Sequence, residues 1–285
     1  MSWFKIPFVV CFQNLRKWAG DYRVWTVAIF IFVINVYTIA SFQDYANQIG
    51  TGIAPWIFVF YSNSWWAIKV MMFMPLLILF CDAPFIDSNQ PYILARSKRK
   101  LWSLGQILYI VVATIIYFAV MMLLSVVLLV GNMELTSDWG KLLYTAANSA
   151  DNPLFIKEKI LYYFTPFTGM LYSFILLCLS GIFIGLVIYV VNVLTKKSGF
   201  GILSGGAFIF WDVVVSMVTY DEGKEWLNYL SPVSWSTLQI IDIEGTFNTP
   251  SITFVLCGYA VLIIGLSVAA VMISRKQEIN VIQAV

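Results

Sequence analysis

The chain contains no histidine and few charged residues, and each scarcity excludes a class of function. Lys, Arg, Asp and Glu together make up 11% of the 285 residues, which is too little charge to cover a globular protein in water. Without histidine, the chain lacks the commonest general base and the commonest catalytic metal ligand. A net charge of only +2 gives no reason to expect a nucleic-acid partner.

Motifs of catalysis and nucleotide binding are absent as well. The chain has no Walker A sequence, no H-E-x-x-H and no G-x-S-x-G with triad partners. Its four cysteines, Cys11, Cys81, Cys178 and Cys257, lie in or beside apolar segments, and no two have the spacing of a metal site. We therefore expect no enzyme activity, no metal and no cofactor on this chain.

Apolar residues, in contrast, are abundant. They make up 60% of the chain and the mean hydropathy is +0.84, which is typical of an integral membrane protein. A helix needs about 20 apolar residues to cross a bilayer. On that length we predict an all-α membrane domain over residues 23–285, with six transmembrane helices at 24–42, 65–81, 103–131, 168–194, 200–218 and 252–273.

Residues 1–22 are too short and too charged to form a further span. Apolar side chains recur every three or four residues at Phe4, Phe8, Cys11, Leu15 and Trp18, which is the spacing of one helical face. The pattern predicts an N-terminal amphipathic helix that lies along the membrane interface. The alternative is that these residues begin an ordinary first span.

The distribution of Lys and Arg predicts the topology, because short loops rich in these residues stay in the cytoplasm. Loop 82–102 is the most basic connection, whereas residues 132–164 and 219–251 carry lysines with acidic neighbours. We therefore expect a multi-pass protein of the cell membrane with both termini in the cytoplasm. Residues 132–164 would form an external cap or a mobile lid.

Two ionisable residues fall inside the apolar segments. Lys69 lies near the outer end of the second predicted span, where a lysine side chain can reach the interface. Asp212 lies in the middle of the fifth, in AFIFWDVVVSM. A carboxyl group at that depth is either a proton relay or one partner of an interhelical ion pair or hydrogen bond, and the sequence leaves both open.

Two further stretches stand out. Residues 82–106, DAPFIDSNQPYILARSKRKLWSLGQ, join an aromatic and aliphatic cluster to a dense basic run between the second and third predicted spans. Residues 229–235, YLSPVSW, place a proline among aromatic residues in the external segment before the last span. Together with the six spans and the interfacial helix, these stretches resemble ABC-2-type transporter permeases over nearly the whole chain.

The resemblance implies roles for particular residues. In that family the first cytoplasmic loop holds a coupling helix that docks into a cleft of the ATPase subunit, and the proline-containing stretch is an external re-entrant segment. Asp82, Ala83 and Pro84 stand where many members have a Glu-Gly pair. The implied docking residues are Asp87, Gln90, Pro91, Tyr92, Ile93, Leu94, Arg96, Lys98, Arg99 and Lys100, and the implied re-entrant residues are Tyr229, Pro232 and Trp235. The basic residues would face acidic ATPase residues or lipid phosphates, or would only set the topology.

The resemblance also implies a function and partners. The chain would be the permease subunit of an ATP-driven bacterial exporter, with a pair of ABC ATPase subunits that bind ATP and Mg and with a second, identical or different, permease subunit. Its cargo would be a hydrophobic or amphipathic peptide, drug or lipid-linked molecule. Gly181 and Gly185, or the aromatic first span, would form the dimer seam. The alternatives are a gradient-driven carrier that uses Asp212, and a membrane immunity or sensor subunit that binds a peptide or lipid.

Overall fold

The chain folds as a bundle of helices. The computed structural model describes residues 5–85, 99–149, 151–152, 154–219, 223–245 and 248–276, and no β-strand occurs within these ranges. The helices are α1 (Lys5–Arg16), α2 (Tyr22–Ile49), α3 (Phe58–Asn63), α4 (Trp66–Phe80), α5 (Arg99–Val127), α6 (Lys141–Asn148), α7 (Glu158–Tyr163), α8 (Pro166–Thr195), α9 (Ser198–Val218) and α10 (Ile252–Lys276).

Five helices in the described part of the chain, α2, α5, α8, α9 and α10, are long and apolar enough to cross a membrane. The chain is therefore a multi-pass α-helical membrane protein, which confirms the predicted all-α membrane class, whereas the number of six spans stays a prediction. A sixth apolar helix, α4, has only 15 residues. At 1.5 Å per residue it is about 22 Å long, shorter than the roughly 30 Å hydrocarbon core of a bilayer.

Helix α2 extends beyond the predicted span at both ends. The Asp21 side chain caps its first turn by accepting a hydrogen bond from the Arg23 amide at 3.0 Å. At the other end the helix continues through the polar residues 43–48 and stops at Gly50, whose left-handed φ of 72° lets its amide bond the Ala46 carbonyl. Its 28 residues give a length of about 42 Å, so the helix is tilted or projects from the bilayer.

Helix α8 is the centre of the bundle and packs against α4, α5, α9 and α10. Two glycines on α8 allow this close approach. A Cβ on Gly181 would lie 2.7 Å from Thr114, and one on Gly185 would lie 2.6 Å from Ile110 and 3.0 Å from Phe80. The Gly181–Gly185 face is thus covered by α4 and α5 of the same chain. The expectation that it forms a dimer seam is wrong for this reason.

Helix α3 also lies inside the protein. Residues 56–61 are apolar but too few to cross a bilayer, which predicts a position at the outer interface. All six residues of α3 are nevertheless buried, and they pack against α4 and α8. Backbone that interrupts a spanning segment is tolerated when protein surrounds it. Helices α3 and α4 therefore form a broken pair rather than one continuous span.

The helix ends that carry most of the lysines and arginines meet at one end of the bundle, which we call the basic end; the other is the loop end. Arg23 at the start of α2 forms an ion pair with Asp82, just after α4. Nearby, the Ser103 and Tyr189 hydroxyls lie 2.8 Å apart, and Tyr189 lies 3.3 Å from the Ser274 hydroxyl. These contacts join α5, α8 and α10 at this end.

Helix α1 lies against the first turns of α5 at the basic end. Val10 packs on Gly105, the buried Asn14 amide donates to Gln106 at 3.0 Å, and Trp18 donates to the Tyr109 hydroxyl at 2.9 Å. The packed face differs from the predicted apolar stripe, because Phe8 is 66% exposed whereas Val10 and Asn14 are buried. A protein contact of α1 thus replaces part of the expected lipid contact.

Asn192 at the end of α8 fixes the basic end through three hydrogen bonds. Its amide donates at 2.8 Å to the carbonyls of Cys81 and of Ala83, and its carbonyl oxygen accepts from the Gly201 amide at 3.0 Å. A Cβ on residue 201 would collide with the Asn192 side chain. One buried side chain thereby joins α8, the end of α4 and the first turn of α9.

Replacing Asn192 by leucine is expected to lower the free energy of unfolding by about 2–3 kcal/mol, because three hydrogen bonds are lost and buried carbonyls are left without donors. Denaturant titration in mixed micelles, followed by tryptophan fluorescence, measures the change. Asn148→Leu is the matched control, since Asn148 is exposed and donates to the Tyr144 carbonyl within its own helix. Equal losses in the two variants would contradict the prediction.

Candidate functional site

A buried ion pair joins α4 and α9 towards the loop end of the bundle. The Lys69 ammonium lies 2.8 Å from both carboxylate oxygens of Asp212. The ammonium donates a hydrogen bond to Oδ1, whereas its contact with Oδ2 is electrostatic only. Lys69 is 3% exposed and Asp212 is 1% exposed. The Lys69 side chain therefore turns into the protein instead of reaching the interface, and Asp212 has the interhelical ion pair that was one of its two interpretations.

Two hydroxyl groups complete the surroundings of this pair. Ser234 donates to Asp212 Oδ1 at 2.7 Å, and the Lys69 ammonium donates to the Thr237 hydroxyl at 3.1 Å. Both hydroxyls belong to residues 225–240, three short 3-10 turns that we call the Pro232 segment. The ion pair and this segment thus form one polar cluster within an apolar bundle.

The Pro232 segment, which lies between α9 and α10 along the chain, is folded into the bundle. Residues 231–238 are all buried. The Tyr259 hydroxyl of α10 donates to the Pro232 carbonyl at 2.7 Å, and the Trp235 indole donates to the Asn228 carbonyl at 2.8 Å. The Trp235 ring also packs on Gly258 of α10. A Cβ on Gly258 would lie only 2.8 Å from the ring.

The predicted re-entrant residues all belong to this packed region. Pro232 and Trp235 are buried. Tyr229 is half-buried, donates to the Thr249 carbonyl at 2.8 Å and has its ring 4.9 Å from that of Phe254. These contacts attach the segment to the start of α10.

Asn63, at the end of α3, connects the same segment to α8. Its amide donates to the Val59 carbonyl at 2.6 Å and to the Ser173 hydroxyl at 3.4 Å, and its carbonyl oxygen accepts from the Gln239 amide at 3.3 Å. Ser234, Thr237 and Asn63 were not singled out from the sequence. The one available signal was the density of small hydroxyl residues in SPVSWST, directly after the proline.

Helices α6 and α7 cover the loop end beside the Pro232 segment. The Lys159 ammonium of α7 donates to the Ile241 carbonyl at 2.8 Å, and Tyr163 donates to the Glu244 carboxylate. Burial lowers the pKa of Lys159, and the nearby acidic residues Asp242, Glu244 and Glu225 oppose this shift. The described residues within 132–164 therefore pack against this end of the bundle.

The cluster is suited to holding helices together. Its carboxylate is neutralised by an ammonium group at 2.8 Å and also accepts a hydrogen bond from the Ser234 hydroxyl. In the described residues, no three His, Cys, Asp or Glu side chains come together as metal ligands. Its contacts link α4, α9 and the Pro232 segment.

The implied ATPase-docking residues Asp87, Gln90, Pro91, Tyr92, Ile93, Leu94, Arg96 and Lys98 lie outside the described residues. Arg99 and Lys100 are the first residues of α5 and are exposed at the basic end. The docking role of all ten stays a prediction.

The fold and the cluster define a multi-pass α-helical membrane protein in which a segment between the last two long helices is held by a buried ion pair. No protein-family model, no curated protein and no solved structure matches the chain. Its function must therefore be argued from its own residues.

Proposed function

We propose that this chain is the permease subunit of an ATP-driven ABC exporter in a bacterial cell membrane. The observation that supports the proposal most is the Pro232 segment, which folds back into the bundle between α9 and α10 and is buried over residues 231–238. A proline-containing segment that re-enters the membrane domain at this point of the chain is what the resemblance to ABC-2-type permeases implies.

In such a subunit α4 would be a sixth membrane helix, and α3 would complete its path through the loop end. The basic end would lie in the cytoplasm, since basic loops stay on that side. Helix α1 would then be the interfacial helix, with Phe8 and Phe12, each 66% exposed, turned to lipid. Both termini would be cytoplasmic.

The beginning of the docking loop is firmly attached to the bundle, as transmission of force requires. Asp82 pairs with Arg23 of α2, and the Ala83 carbonyl accepts from Asn192 of α8. The Phe85 ring lies 4.7 Å from that of Tyr109 on α5. A displacement of loop 86–98 by a bound ATPase would therefore act on three membrane helices at once.

The proposed partners are two ABC ATPase subunits, which would supply ATP and Mg binding, and a second permease subunit. With the Gly181–Gly185 face covered, the aromatic face of α2 is the remaining candidate for the dimer seam. Trp25, Ile29 and Phe32 on that face are 51–63% exposed in the single chain. The cargo would be a hydrophobic or amphipathic peptide, drug or lipid-linked molecule.

The decisive experiment replaces the implied docking cluster. We expect Tyr92→Asp with Leu94→Asp to abolish ATP-driven transport and to remove the ATPase that co-purifies with the tagged chain from its native membranes. ATP hydrolysis by the purified complex and ATP-dependent uptake into inverted vesicles are the two measurements. Phe200→Asp is the control, because Phe200 is a 50% exposed aromatic residue in the first turn of α9 at the same end of the bundle.

Intact assembly and ATP-driven transport in the double variant would contradict the docking role. Transport without nucleotide, with a pH dependence that Asp212→Asn abolishes, would instead identify a gradient-driven carrier. Ligand binding by the chain without transport in vesicles would identify an immunity or sensor subunit.

A further inference from the structure

A narrow apolar groove runs between α5 and α10 near the basic end. Its volume is about 310 Å³, and its walls are Leu104, Ser267, Val268, Val271 and Met272. Apart from the Ser267 hydroxyl, these side chains carry no polar group. In the described residues α10 packs mainly against α5 and α8, and the groove lies on the outside of the bundle.

The groove is uncovered in the single chain. Leu104 is 43% exposed, Val268 is 52% exposed and Met272 is 60% exposed, so an acyl chain of the membrane can reach these side chains. Gly265 lies one turn before Val268 on α10, and a Cβ on it would have no atom within 4 Å. An empty groove would lose dispersion contacts along its walls, and a flexible acyl chain is the shape that fills it.

Basic residues are concentrated where the groove meets the basic end. Helix α5 begins at this end with Arg99 and Lys100. Lys100 is exposed and precedes Leu104 by four residues, so both are on the same face of α5. Asp82, an acidic residue at this end, is paired with Arg23.

We propose that this groove is a binding site for one anionic phospholipid. One acyl chain lies between Leu104 and the α10 residues Val268 and Met272, and the phosphate lies at the level of Lys100. Juxtamembrane lysines and arginines attract anionic headgroups in this way. The site does not depend on the transport proposal, because it uses only the helix pair and its charges.

The test compares lipids with identical acyl chains on the full-length chain in detergent. Native mass spectrometry counts bound phosphatidylglycerol and phosphatidylcholine, and thermal unfolding measures stabilisation by each. We expect phosphatidylglycerol to bind more tightly. Lys100→Gln should weaken that binding about fivefold, the effect of one basic residue near an anionic headgroup. Val268→Trp, which fills the groove, should remove the site for both lipids.

Two variants serve as matched controls. Leu123→Trp adds the same ring at a 60% exposed position in the other half of α5, and Lys197→Gln removes an exposed lysine at the basic end from the start of α9. Both should bind phosphatidylglycerol as the unaltered chain does. Inorganic phosphate alone should give no stabilisation, because it lacks the acyl chain.

Four results would each overturn the proposal. Equal binding of the two lipids would exclude recognition of the phosphate charge. Equal weakening by Lys100→Gln and Lys197→Gln would assign the effect to general charge at this end. Full retention of lipid by Val268→Trp, or stabilisation by free phosphate alone, would show that the groove is not the site.

Discussion

Replacing Lys69 by methionine is expected to lower the free energy of unfolding by about 3–5 kcal/mol, because it leaves the Asp212 carboxylate buried without a counter-charge. Asp212→Leu should have a similar effect, since it leaves the ammonium unpaired. The double variant, Lys69→Met with Asp212→Leu, should recover most of the loss, because an apolar pair of similar volume often replaces a buried ion pair without net cost. Incomplete recovery would reflect the Ser234 and Thr237 hydroxyls.

Denaturant titration in mixed micelles measures this series, with the 11 tryptophans as the probe. The Arg23–Asp82 pair is the internal control, because its side chains are 25% and 44% exposed. Arg23→Gln should change stability by no more than about 1 kcal/mol, as is usual for exposed pairs. Additive losses in the Lys69 and Asp212 double variant would show that the two charges are not coupled.

Substituting leucine for Gly185 is the second change with a large expected effect. The first added carbon would lie 2.6 Å from Ile110 and 3.0 Å from the Phe80 ring, so α8 would have to separate from α4 and α5. We expect a loss of about 3 kcal/mol, at the upper end of the usual range for overpacked cores. Unfolding in mixed micelles again gives the measurement.

Gly265→Leu is the matched control for this substitution, because it adds the same side chain on α10 where no atom lies within 4 Å. It should leave stability nearly unchanged. Ile110→Ala should also restore part of the stability of the Gly185→Leu variant, since it removes the nearest obstructing atoms. A Gly265→Leu loss as large as that of Gly185→Leu would contradict the packing explanation.

The sequence predicted the apolar cores of the membrane helices well but not their ends. Apolar run length measures where lipid contact is possible, and α2 continues for another two turns through polar residues until Gly50 ends it. Hydropathy also cannot tell whether an apolar segment is surrounded by lipid or by protein. For this reason α3 was expected at the interface and instead lies inside the bundle.

The two charged residues of the cluster were predicted from the sequence, but the contacts between its side chains were not. Lys69 and Asp212 were recognised because ionisable residues are rare in apolar segments. Their pairing depends on how α4 and α9 pack, and 143 positions separate them in the sequence. Ser234 and Thr237 carry no comparable signal, because hydroxyl residues are common in connecting segments. Gly181 and Gly185 indicated a close helix contact, and only the packing shows that the contact is within the chain.

The separation of Lys69 and Asp212 along the chain has a consequence for biosynthesis. Helix α4 leaves the ribosome long before α9, so it meets the insertion machinery with an unpaired lysine in only 15 residues. A charge at the centre of a helix opposes insertion by roughly 2.5–3.5 kcal/mol. Lys69 lies in the first turn of α4, where the cost is smaller, but the short helix offers little apolar length to compensate. Stable integration of α4 is therefore expected only after residue 212 has been synthesised and α9 has entered the bilayer beside it.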